Sequence, residues 1–152
     1  VDTVAKEFQV KGFDAIGIAC HIADGDQRKS LIEQTLSKFG RIDVLVNNAA
    51  INPFYGPLEA TGEEVFDKIM DVNVKAPWLL SNLVQPHMKE NGGGSIINIS
   101  SVEGIHTEFR LGLYSRVMIC NVFCHSRRGG NPHRPSKQRK INFKTFHIKL
   151  SP

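Results

Sequence analysis

Two hydroxyls stand out for the chemistry they could do. Ser101 follows the apolar run Ser95-Ile96-Ile97-Asn98-Ile99, and Tyr114 lies thirteen residues further on. A tyrosine hydroxyl acts as general acid or base when a nearby cation lowers its pKa from ~10. A serine hydroxyl beside it can hold a carbonyl oxygen. Taken alone, Ser100-Ser101 is equally a pair of turn formers after a strand. Asn47-Asn48-Ala49-Ala50 ends a second apolar run, Ile42-Asp43-Val44-Leu45-Val46. Amide side chains there can hydrogen-bond between neighbouring strands, and small residues let backbone approach a ligand closely. The same four residues also fit a plain polar strand-to-loop transition.

These groups need elements to position them. Val4, Phe8 and Val10 read as the last turns of a helix stopped by Gly12. Ala15-Ile16-Gly17-Ile18-Ala19-Cys20 reads as a buried strand. Asp24 and Asp26 offer N-caps for a helix through Phe39, with Leu31, Ile32, Leu36 and Phe39 inward and Gly40 closing it. The run 42–47 is a second strand. Thr61-Gly62-Glu63-Glu64 fits a capping box for a helix carrying Val65, Ile69 and Val72 on one face. Pro77 and Pro86 are expected to bend or interrupt its continuation. Gly92-Gly93-Gly94 ends it before a third strand at 95–99. Helix and strand alternate, which implies a parallel sheet with helices on its faces and function at the C-terminal strand ends. Past Tyr114 the pattern fades, although Val117-Met118-Ile119 and Val122-Phe123 are apolar.

Composition narrows the class. The 152 residues are 41% hydrophobic and 22% charged, near globular norms, which excludes wholesale disorder, collagen and coiled coil. No apolar run reaches the ~18 residues of a membrane helix. The N-terminal Val1-Asp2-Thr3-Val4 predicts no signal peptide. Three cysteines, Cys20, Cys120 and Cys124, are too few for a disulfide framework and favour a reducing, cytoplasmic setting. The net charge of +4 conceals two unlike parts. Residues 1–115 hold 10 Lys+Arg and 15 Asp+Glu, or −5, whereas residues 116–152 hold nine basic residues and no acid, or +9.

Asn47-Asn48-Ala49-Ala50, Asn73 within Asp71-Val72-Asn73-Val74, and Ser101 with Tyr114 together resemble the short-chain dehydrogenase/reductase family. Their order and spacing match its NNAG motif, its catalytic Asn, and its Ser and Tyr. The stretch Asn48–Gly56 resembles the family's carbonyl-reductase subgroup. The resemblance covers about residues 1–115. It implies an α/β fold: a partial Rossmann-type three-layer parallel sheet, incomplete at both ends. It also implies hydride transfer between the nicotinamide of NAD or NADP and a small carbonyl or alcohol substrate. By position, Tyr114 would be the acid/base, Ser101 would orient the substrate oxygen, and Asn73 would hold a water in the proton relay. Asn48, Ala49, Ala50, Ile99 and Ser100 would face the cofactor. Family members are homo-oligomers, and the helices that build their interfaces are only partly present in this stretch.

Four features depart from the family pattern. Met118 stands four residues after Tyr114, where the family has a Lys that lowers the Tyr pKa and binds the nicotinamide ribose. Arg116 lies two residues from Tyr114 and would point elsewhere on a helix. The Gly-rich phosphate turn after the family's first strand is absent from the sequence. His21 stands where many members have an Asp near the adenine, which reads as subgroup variation rather than a metal ligand. The two strands that lie between 15–20 and 42–47 in the family's order are also absent. The expectation is a truncated oxidoreductase with little or no turnover, so whether it acts as an enzyme is left open.

The segment 116–152 reads in two ways. One is a basic nucleic-acid- or anion-binding arm, with Phe143 and Phe146 able to stack on bases. The other is a frameshift or read-through product, irregular as a tail. His125-Ser126-Arg127-Arg128-Gly129-Gly130-Asn131 is compatible with an inverted-repeat coding sequence, and the segment starts where the resemblance ends. Cys120, Cys124, His125 and His133 fit no usual zinc spacing, so no metal site is expected.

Overall fold

The computed structural model describes residues 1–106 and 110–123, with side chains to residue 118. The tail beyond residue 123, with its arm and zinc alternatives, lies outside the described residues. Helix α1 spans Asp2–Val10. Gly12 then adopts φ 83°, a left-handed turn that glycine takes without steric cost. Helix α2, Gly25–Phe39, begins where Asp24 accepts hydrogen bonds from the backbone N–H groups of Asp26 and Gln27. It ends at Gly40 in the left-handed conformation. Both ends follow the sequence reading. Leu31 and Ile32 are buried on its inner face, joined by Thr35, whose hydroxyl donates to the Leu31 carbonyl.

Among the described residues the sheet has two strands, not three. Strands β1 (Val44–Asn47) and β2 (Ser95–Asn98) pair in parallel, with Val44 opposite Ser95 and Asn47 opposite Asn98. Residues 13–20 form no ladder. A strand exists only with a lateral partner, and this run meets helix α1 instead. The Gln9 amide donates to the Ala15 carbonyl at 2.7 Å. A Cβ on Gly17 would come within 2.9 Å of the Val1 carbonyl carbon. The run still contributes apolar side chains, since Cys20 is buried and Ile18 packs on the main core. That core joins Leu31 and Ile32 of α2, Leu45 of β1, and Val72, Ala76, Leu80, Val84 and Met88.

The capping box does not form. Helix α3, Glu63–Met70, takes Gly62 as its N-cap, without a side-chain bond. Thr61 instead ends a 3₁₀ turn over Leu58–Ala60, one residue too early to cap, and its buried hydroxyl has no hydrogen-bond partner. Of the two prolines, Pro86 does not interrupt the helix. A π turn over Asp71–Lys75 links α3 to helix α4, Ala76–Glu90, which continues through Pro86. The Ala76 N–H donates five residues back, to the Asp71 carbonyl. Pro77 has no N–H, so it sits in the first turn of α4 where an intrahelical donor is least needed. The wider turn lets the adjacent residues Val72 and Asn73 both be buried.

Helix α5, Gly112–Phe123, crosses the position where the sequence pattern fades. Leu113 and Val117 pack with Ile69 in a second small core. Among the described residues no helix is long and apolar enough to cross a membrane.

Candidate functional site

The C-terminal ends of the two parallel strands carry a matched amide pair. Asn47 and Asn98 stand opposite each other in the register. The Asn47 Nδ2 donates to Asn98 Oδ1 at 2.8 Å, and the Ile99 N–H donates to the Asn47 carbonyl at 2.8 Å. Asn47 is buried and its Oδ1 has no hydrogen-bond partner. Beyond the pair, Asn48 is exposed, while Ala49 and Ala50 are half-buried.

Asn73 is 1% exposed, and its amide clasps the next residue of that loop. The Ile51 N–H donates to Asn73 Oδ1, and Asn73 Nδ2 donates to the Ile51 carbonyl, both at 2.9 Å. The two bonds fix the loop after β1 against the π turn. Asn73 Nδ2 also lies 3.9 Å from the Met118 sulfur. Met118, on α5, is 2% exposed. Its backbone carbonyl accepts from the Ser100 hydroxyl at 2.8 Å. Residue 118 therefore joins the end of β2, the π turn and α5 at one buried point.

Ser101 caps a short 3₁₀ turn over Val102–Gly104, accepting from the Glu103 N–H at 3.2 Å. The Glu103 carboxylate in turn accepts from the hydroxyl of Ser115, next to Tyr114, at 3.4 Å. This turn packs directly against α5. Ser101 and the half-buried Tyr114 are thus held on two elements in mutual contact. Asn73, Ser100 and Met118 are brought together by direct contacts. Arg116 is exposed, as its helical phase implies. His21 is exposed on the turn before α2, where its N–H donates to the Gln27 side chain.

Sequence reasoning missed the Glu103 bridge. The Ser101-to-Glu103 spacing is that of a serine side chain bonding backbone two residues on, so half of it was legible. The Ser115 contact spans twelve residues and leaves no local signal.

The strand ends gather amide and small side chains, and Ser101 and Tyr114 lie on neighbouring elements. The site offers no cation at residue 118. The described residues also hold no Gly-rich turn at a helix N-terminus after a strand that could cradle phosphates.

The family model described as short chain dehydrogenase matches residues 1–116. The chain is 40% identical over 115 residues to Dehydrogenase/reductase SDR family member 4 of Oryctolagus cuniculus, covering 76% of this chain and 44% of that protein. It is 40% identical over 114 residues to Tropinone reductase-like 3 of Erythroxylum coca, covering 75% and 43%. Among solved structures, it is similar to a gluconate 5-dehydrogenase from Burkholderia cenocepacia in complex with NADP and tartrate. That match has a TM-score of 0.71 at 30% identity, covering 78% of this chain and 46% of that one. A 7α-hydroxysteroid dehydrogenase complexed with NADH and 7-oxo glycochenodeoxycholic acid matches with a TM-score of 0.73 at 29% identity over the same shares. The chain thus spans less than half the length of these relatives.

Proposed function

This chain belongs to the short-chain dehydrogenase family, and we propose that it carries the central part of an oxidoreductase site for a small carbonyl or alcohol substrate, with greatly weakened turnover. Carbonyl reduction is the favoured direction, by similarity to the carbonyl-reductase subgroup. NAD or NADP, when bound, supplies or takes up the hydride. The residues fit the nicotinamide half of that group. Asn48, Ala49, Ala50, Ile99 and Ser100 follow directly on the strand ends, and the buried Asn47 Oδ1 without a partner lies at the same end of the sheet. They do not fit the phosphate half, for want of a cradle.

Each protein group then has a definable task. The Tyr114 hydroxyl gives a proton to the carbonyl oxygen as that oxygen gains charge, and takes it back in the reverse direction. The Ser101 hydroxyl, held at the cap of its turn, donates to the same oxygen. Asn73 has its side chain engaged by Ile51, so its first task is to fix the loop that lines the strand ends. A relay water beside it is part of the same proposal. The Ser100 hydroxyl is engaged by Met118, so Ser100 would offer the cofactor its backbone rather than its side chain.

One observation carries the weakened turnover: Met118 is buried against Asn73, where the family pattern has a Lys. A thioether brings no positive charge to favour a phenolate and no donor for a ribose hydroxyl. The test is turnover of the purified 152-residue chain with NADPH and NADH against a panel of ketones. The expected result is no turnover above the protein-free control. Turnover near ~10 per second, an ordinary enzymatic rate, would contradict the reading.

A further inference from the structure

We propose that Asn91 is a self-modification site. Its side-chain amide closes onto the Gly92 nitrogen, is lost as ammonia, and leaves aspartate or isoaspartate in the turn that carries α4 into β2. The hydrogen bonds of that turn gate the reaction, and the product holds the turn open. The inference is independent of the reaction proposed above.

Of the ten asparagines, Asn91 alone is followed by glycine. The chemistry depends on that pair. The attacking group is the backbone nitrogen of the next residue, and a side chain there crowds the small ring that forms; glycine has none. Asn73, Asn82 and Asn98 are followed by Val74, Leu83 and Ile99, and Asn52 by Pro53, whose nitrogen carries no proton. Among the described residues the Asn91 side-chain amide takes no hydrogen bond, whereas Asn98 Oδ1 accepts from Asn47 Nδ2. Asn91 is half-buried and Gly92 is exposed, so water reaches the turn.

The step needs water and no other reactant. The Gly92 nitrogen bonds to Asn91 Cγ and gives up its proton. The Cγ–Nδ2 bond breaks, and Nδ2 leaves with that proton as ammonia. Water then opens the cyclic imide at either carbonyl. Opening at one gives aspartate, and opening at the other gives isoaspartate, with the main chain running through Cγ. Nothing is oxidised or reduced.

The folded turn holds the reaction back. Asn91 closes α4 with ψ 3°, which sets the Gly92 nitrogen over the Asn91 nitrogen rather than over Cβ. The Gly92 N–H donates to the Lys89 carbonyl at 3.0 Å, and the Gly93 N–H to the Met88 carbonyl at 2.8 Å. The Gly92 bond must open and ψ must rotate before attack. Local opening of this kind costs less than global unfolding.

The product does not fit the closed turn. Aspartate puts a negative charge beside the carbonyls that end α4, where the helix dipole disfavours it. Isoaspartate lengthens the main chain by one methylene between residues 91 and 92. Gly92 and Gly93 already take φ of 82° and 122°, and the Ser95 N–H donates to the Asp43 carbonyl at 2.9 Å as β2 begins. A longer chain shifts this path.

The test incubates the 152-residue chain at mildly alkaline pH and then digests it after Lys and Arg. Fragment 90–110 holds both Asn91 and Asn98, so Asn98 is an internal control. Mass spectrometric fragmentation should show conversion at Asn91 exceeding that at Asn98 by about tenfold or more. Conversion at Asn91 should run about tenfold faster in urea than in the folded chain. In the converted chain, separated by its added negative charge, amide exchange at Gly93 and Ser95 should speed about tenfold. Asn91→Gln, which must close a larger ring, should stay unconverted. Conversion at Asn91 no greater than at Asn98 would overturn the site. Equal rates in urea and in the folded chain would overturn the gate, and unchanged exchange in the converted chain would overturn the opened turn.

Discussion

Asn73 places one buried amide between three parts of the chain: the loop after β1, the π turn and α5. Asn73→Ala leaves the Ile51 N–H and carbonyl without these partners. It should lower stability by about 3 kcal/mol, read as a smaller urea midpoint at unchanged slope. An unchanged midpoint would show that the clasp contributes little. Cys20 gives a second prediction at this scale. Burial pushes its thiol pKa up, with the Arg28 charge opposing. The thiolate is the reactive form, so Cys20 in the folded chain should alkylate far more slowly than in urea. Peptide mapping separates it from the other two cysteines, and equal rates would contradict its burial. Asn73, Ser101 and Tyr114 were legible as candidates through the family resemblance, and their roles belong to the proposal. The Met118 contact with Asn73 was not, because it joins residues 45 apart.

The ends of α2 were the most legible feature of the fold. Asp24 and Gly40 bound α2 through bonds that reach only a few residues. Asp24 also sets a pH dependence. Its carboxyl pKa is lowered by the Gln27 backbone N–H, with the Asp26 N–H, the Gln27 side chain and His21 adding to it. A depressed folded pKa stabilises the fold above the unfolded value of ~3.9, and that stabilisation is lost as pH falls through the folded value. Helicity of α2 should therefore hold through mildly acidic pH and weaken in strong acid. In Asp24→Asn, which keeps a capping oxygen but cannot titrate there, this acid step should shrink; an identical step would assign it elsewhere. Gly94 makes a packing prediction before β2. A Cβ there would lie 2.5 Å from the Met88 sulfur and 3.0 Å from the Asp43 carbonyl oxygen. Gly94→Ala should cost about 1–3 kcal/mol in thermal or urea unfolding, and a neutral result would mean that Met88 can move aside. The missing strand at 15–20 shows where local reading stops. Its apolar run is right for a strand, but pairing depends on a partner that no window of sequence reveals.

At the scale of the whole molecule, the alternation of helix and apolar run predicted the layered α/β arrangement, and the two parallel strands with their covering helices bear it out. What the alternation could not give was the number of strands that pair. The open sheet face should bind a hydrophobic dye, and the pair Ile97→Lys and Ile99→Lys should remove most of that signal. A signal unaffected by both changes would place the exposed apolar surface elsewhere. On the proposed function, the ends of β1 and β2 form the nicotinamide face. The most direct measurement is a titration of the ¹⁵N-labelled 152-residue chain with NADPH, followed by amide chemical shifts. Movement is expected at Asn48, Ala49, Ala50, Ile99 and Ser100. Movement confined to the basic residues after 116, with those five amides unmoved at saturation, would contradict it.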